Sequence, residues 1–126
     1  MSDLNVQNRA VWFDVPVADV DRAIDFYAAV LGIRVHKESF QGTPFAVLEH
    51  QDGNGGCLIP RPEEVSAAGI LVYFNVDGRI RAAVREAQKG GGMVVQDVHG
   101  IGPHGFRAIV LDSEGNRIAL HSNSDA

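Results

Sequence analysis

Apolar and polar positions along this chain follow two rhythms, one of period two and one of period three to four, and the same succession of rhythms occurs twice. Residues 11–16 alternate as a strand does, with Pro16 ending the run. Asp19 then stands at an N-cap position. Behind it Val20, Ala23, Ile24, Tyr27, Ala28 and Leu31 recur as the single apolar stripe of an amphipathic helix, and Gly32 follows where a helix C-terminus favours glycine. Residues 33–40 and 45–50 read as strands, 51–55 as a turn and 56–59 as a short fourth strand. A connector with two prolines and two glutamates, 60–68, separates this unit from a second one. There, 70–76 is a strand, and Ile80, Ala83, Val84 and Ala87 mark a helix that closes at Gly90, Gly91 and Gly92. Strands are predicted over 93–98, 106–111 and 117–121.

The two units align. Val17 matches Val76, Ile24 matches Val84, Gly32 matches Gly92 and Val35 matches Val95, while Asp52-Gly53-Asn54 matches Glu114-Gly115-Asn116. Strand, helix and three strands in the same order twice indicate an internal duplication. The expected fold is α+β: two tandem βαβββ modules, about 9–60 and 69–123, in a single domain spanning 9–123. A helix covers one face of a sheet only. Phe13 and Val15 share one face of the first strand, and Trp12 and Asp14 share the other. The faces without helices are left to form a cleft, which is the default ligand site.

Composition narrows the function. The 126 residues carry a formal net charge of −5 and no basic run, which argues against nucleic-acid and membrane-surface partners. No apolar run approaches the ~20 residues of a membrane helix. Cys57 is the only cysteine, so an intrachain disulfide is excluded and a reducing, cytoplasmic setting is expected. The polar start, 1–8, has no apolar core of a signal peptide.

Two segments carry a family resemblance. Val11-Trp12-Phe13-Asp14-Val15-Pro16-Val17, with Asp19, Arg22-Ala23, Phe26-Tyr27 and Val30-Leu31-Gly32, resembles the opening of the vicinal oxygen chelate superfamily of glyoxalase I, bleomycin-resistance proteins and extradiol dioxygenases. Residues 111–121, with Asp112-Ser113-Glu114-Gly115-Asn116, resemble its closing Asp-Pro-Glu-Gly-Asn hairpin. Leu71-Val72-Tyr73-Phe74 and the ending at His121 are most similar to predicted bacterial enzymes related to lactoylglutathione lyase. The resemblance implies a concave eight-stranded cleft, a small-molecule ligand and a homodimer. It also implies a divalent ion held by His, Glu or Gln on the first and fourth strand of each module. Here those positions are Trp12, Cys57, Leu71 and Ala119. Indole and alkane side chains do not ligate and one cysteine does not hold a metal, so no metal cofactor is expected. A shift of two residues along the strands offers Asp14, Tyr73 and His121 as an improvised cluster.

Those three are also the candidate catalytic residues, with His121 as general acid or base. Trp12 either stacks on a flat ligand or fills the space of the metal. The loop His99-Gly100-Ile101-Gly102-Pro103-His104-Gly105-Phe106-Arg107 reads as a lid that binds an anion, with His104, Phe106 and Arg107 in contact with the ligand. Of Glu49 and His50, strand alternation turns one inward. Cys57 is read as a buried small hydrophobe and is counted with Trp12 among the ligand-binding residues. The favoured function is binding of a small organic molecule without a metal. A lyase or isomerase, or a dioxygenase, is the enzymatic alternative, and an accessory dimeric protein is the third.

Overall fold

The computed structural model describes residues 8–126, so the start at 1–7 lies outside it. Strand β1 (Trp12–Val17) leads into helix α1 (Val20–Leu31), followed by β2 (Val35–Phe40), β3 (Thr43–Leu48) and β4 (Gly55–Pro60). The connector holds one short 3-10 turn, Pro62–Glu64. The second module repeats the order as β5 (Tyr73–Asn75), α2 (Ile80–Lys89), β6 (Met93–Gly100), β7 (Phe106–Leu111) and β8 (Arg117–Ser122). Each module is a four-stranded sheet with its fourth strand parallel to its first: β1-β4-β3-β2 and β5-β8-β7-β6. The duplication read from the sequence is therefore the architecture, an α+β fold of eight strands in two modules.

Local chemistry explains the elements and the places where their bounds move. Asp19 caps α1 by accepting the Arg22 N–H at 3.0 Å, and Gly32 closes it with φ at +66°. The hairpin from β2 to β3 is tighter than the sequence suggests. Gln41 and Gly42 take φ of +51° and +80°, a two-residue turn that pairs Phe40 with Thr43 and pulls β3 forward to start at Thr43. Strand β5 is shorter than predicted and leaves Ile70 92% exposed. Its parallel ladder nonetheless continues through Ala119 N–H to the Val72 carbonyl and Val76 N–H to the His121 carbonyl.

Helix α1 buries more than one stripe. Val20, Ala23, Tyr27 and Val30 are buried, and so is Phe26, because α1 packs against α2 as well as its own sheet. The Phe26 ring lies over Gly92, where a Cβ would come within 3.0 Å of it and 2.5 Å of the Leu111 carbonyl. Arg79, at the start of α2, donates from Nη1 to the Val30 carbonyl at 2.6 Å and so satisfies the C-terminal end of α1. One hydrophobic core results, running from Val15 and Tyr27 through Phe74 and Ile80 to Leu120. Among the described residues no helix is long and apolar enough to cross a membrane.

Candidate functional site

Alternation along β5 places Phe74 in the core and turns Tyr73 and Asn75 to the opposite face. Strand β8 pairs beside it in the register Tyr73 to Ala119 and Asn75 to His121, and β7 brings Arg107 opposite His121. The short turn Gly102–His104, between β6 and β7, lies over the same edge. Tyr73, Phe74, Asn75, Arg107 and His121, with Ile101 and His104, line an open cavity of about 670 Å³.

The polar groups of this cavity are ordered by hydrogen bonds. Arg107 donates from Nη1 to the Tyr73 hydroxyl and from Nε to His99 Nε2 at 3.0 Å. His99 Nδ1 lies 2.7 Å from the Asp97 carbonyl. A carbonyl only accepts, so His99 carries its proton on Nδ1 and offers a lone pair to the guanidinium. The same logic puts a proton on His121 Nε2, which lies 2.6 Å from the His104 carbonyl. The guanidinium also stands 6.0 Å from the Tyr73 ring centroid. Among the described residues no carboxylate pairs with Arg107.

The other candidates fall elsewhere. Asp14 occupies on the first sheet the place that Tyr73 occupies on the second, paired with Cys57 as Tyr73 is with Ala119. The buried Cys57 thiol donates to Asp14 Oδ1 at 3.2 Å. Burial first, and then the carboxylate of Asp14, push that thiol up to about 11. Cys57 lines a separate recess of about 320 Å³ with Phe40, Phe45 and Ile59. Trp12 is half-buried and packs edge-on against His50, with ring centroids 5.8 Å apart. Phe106 lies over Gly100 and does not line the Arg107 cavity. Thus Tyr73, His104, Arg107 and His121 come together, while Asp14, Trp12 and Cys57 stay with the first module.

Between the modules runs a groove of about 370 Å³ with Phe13, Leu31, Ile33 and Leu48 among its walls, bordered by Glu49, His50 and Asn54. Both Glu49 and His50 reach it because β3 ends at Leu48, so strand alternation no longer governs them. Glu49 accepts the Arg34 N–H at 3.2 Å, and His50 Nδ1 donates to the Gly53 carbonyl at 2.7 Å. Asn75 and Ile101 line the large cavity and were not singled out by sequence. Alternation from Tyr73 was signal enough for Asn75, whereas Ile101 enters only through the fold of its turn.

Leu71 is half-buried and Ala119 fully buried. Among the described residues no three His, Cys, Asp or Glu side chains are grouped to hold a metal ion.

Paired βαβββ modules with open sheet faces define a class of small α+β proteins, and solved structures share the whole arrangement. A glyoxalase/bleomycin resistance protein from Albidiferax ferrireducens T118 superposes with a TM-score of 0.71 at 17% identity, covering 91% of this chain and 98% of its own. A genomically encoded fosfomycin resistance protein, FosX, from Listeria monocytogenes superposes at 0.68 with 8% identity, covering 91% and 93%. In sequence, a glyoxylase-like domain-containing protein of Didymella fabae is 28% identical over 114 residues, 85% of this chain and 88% of that protein. The chain belongs to the Glyoxalase/Bleomycin resistance protein/Dioxygenase superfamily, whose family model matches residues 9–120.

Proposed function

We propose that this protein binds a small organic molecule on the open face of its second sheet, in the cavity formed by Tyr73, His104, Arg107 and His121, and that it does so without a divalent ion. The observation that carries this reading is the cavity itself: about 670 Å³, walled by aromatic and imidazole rings, with one ordered guanidinium. The donor chemistry at the superfamily's four ligand positions does not suit a metal. Trp12, Leu71 and Ala119 offer no ligating lone pair, and the Cys57 thiol is held protonated. Of the shifted trio, Asp14 is already engaged by the Cys57 thiol.

A second reading, acid–base catalysis as a lyase or isomerase, is favoured by one fact: Tyr73 and His121, both able to carry a proton, line the same cavity. We take the working form to be a cytoplasmic homodimer. Exposed Phe40 on edge strand β2 and exposed Met93 and Val95 on edge strand β6 support a partner surface.

Metal analysis of untagged protein, with thermal melts over Ni²⁺, Zn²⁺, Mn²⁺ and Fe²⁺, tests the first clause. The expected result is no stoichiometric metal and no rise in Tm. A native-state ligand at 100 times its Kd would stabilise by about 2.7 kcal/mol, and a shift of that size with bound metal would reject the reading. Fragment melts followed by NMR locate the site, with shifts expected at Tyr73 and His121. Sedimentation equilibrium is expected to give the mass of two chains.

A further inference from the structure

We infer that the ligand is an amphiphilic carboxylate: its anionic head lies at Arg107, and its apolar tail runs over β5 into the groove between the modules. This inference rests on the site proposed above and adds the class and direction of the ligand.

Charge specifies the head. The chain carries 16 Asp and Glu against 11 Lys and Arg, yet among the described residues no acidic side chain lines the large cavity, which holds Arg107 and two histidines. Both hydrogen-bond partners of Arg107 are neutral, a phenol and the lone pair of His99, so its positive charge is left uncompensated among the described residues. Nε and Nη1 are engaged, and Nη2 is used by no hydrogen bond to the described residues. A fixed, half-buried guanidinium of this kind is complementary to a carboxylate.

Continuity specifies the tail. Tyr73, Phe74 and Asn75 wall both the cavity and the groove, so the two spaces meet along β5. The groove adds about 370 Å³ over Phe13, Leu31, Ile33 and Leu48. Glu49 borders it, and a carboxylate there repels an anion. The gradient from Arg107 to Glu49 therefore allows one orientation, head in the cavity and tail in the groove.

Titration calorimetry with ω-phenylalkanoates of increasing chain length, set against the matching primary amides, tests this directly. Trp12, the single tryptophan, packs on His50 at the groove and reports the tail by its fluorescence. The acid is expected to bind about tenfold or more tighter than its amide, with that preference lost in R107Q. Affinity is expected to rise up to about fourfold per methylene while the tail fills the groove. Trp12 is expected to respond to the longer acids alone, and I33A to flatten the dependence on length. Should I33A not fold, the Trp12 response of the natural protein still decides. Equal binding of acid and amide would overturn the inference while leaving the cavity as the site. Binding independent of length with a silent Trp12 would overturn the tail. If neither series binds, the inference and the proposed cavity fail together.

Discussion

Asp112 is a buried carboxylate with both oxygens engaged. It is 2% exposed, yet its Oδ1 accepts the N–H groups of Glu114 and Asn116, and its Oδ2 accepts the Tyr27 hydroxyl at 2.6 Å and the Asn116 amide at 3.0 Å. Burial, reinforced by the negative charge of Asp112, raises Tyr27 well above the ordinary phenol range, so the hydroxyl stays a donor. Tyr27→Phe removes a charge-assisted bond from a buried carboxylate and is expected to cost about 1.5–3 kcal/mol in urea unfolding. Cys57 gives a second residue-scale prediction. With its thiol pushed up to about 11, the thiolate fraction at pH 7.5 is under about one part in a thousand. Native protein is therefore expected to react with a thiol reagent only slowly, and unfolded protein at the ordinary cysteine rate.

At the scale of elements, the hairpin between β7 and β8 clamps the modules together. Glu114 Oε1 accepts the N–H groups of Ala18 and Asp19 at the start of α1, and both its carboxylate oxygens accept from Arg22 at 2.8 Å. Asn116 adds a bond to the Pro16 carbonyl at 2.7 Å. Burial alone would raise the Glu114 carboxyl, but the bonds from Arg22, Asp19, Ser113 and Ala18 outweigh it and lower the group from 4.5 to about 2. A depressed carboxyl stabilises the fold above its unfolded value and loses that stability as pH falls. The hairpin should thus contribute about 2–3 kcal/mol at neutral pH, discounted for the half-exposed Arg22, and lose it between pH 4.5 and about 2. Glu114→Gln is expected to lower stability at pH 7 and to flatten this acid limb in melts across pH.

On the scale of the whole molecule, α1, α2 and both sheets share one core, so the modules are expected to unfold together. Trp12 fluorescence, which senses the first module, and far-ultraviolet dichroism, which senses both, should give superimposable urea transitions. An earlier Trp12 transition would mean the modules unfold separately. Phe26→Ala empties the contact between the helices and is expected to cost about 3–5 kcal/mol without splitting the transition.

The periodicities of the chain determined the elements, because a period of two or of three to four reports which faces meet the core wherever one face is buried. They gave both helices, seven of the strands to within a few residues, the repeat and the open faces that carry Tyr73 and His121. Strand β5 was placed but drawn too long, since pairing with β8 rather than apolarity sets its length. Only the tertiary structure gave Asp14 and Tyr73 their partners, the Cys57 thiol for one and the Arg107 guanidinium for the other, because equivalent places on two sheets are alike in pattern. It alone made Phe26 a core residue, through a neighbouring helix that no local pattern records. It likewise joined Arg107, on β7, to Tyr73 on β5, by a side-chain bond between strands separated by the whole of α2 and β6. A sequence states which face a residue is on; what stands opposite that face is decided by packing.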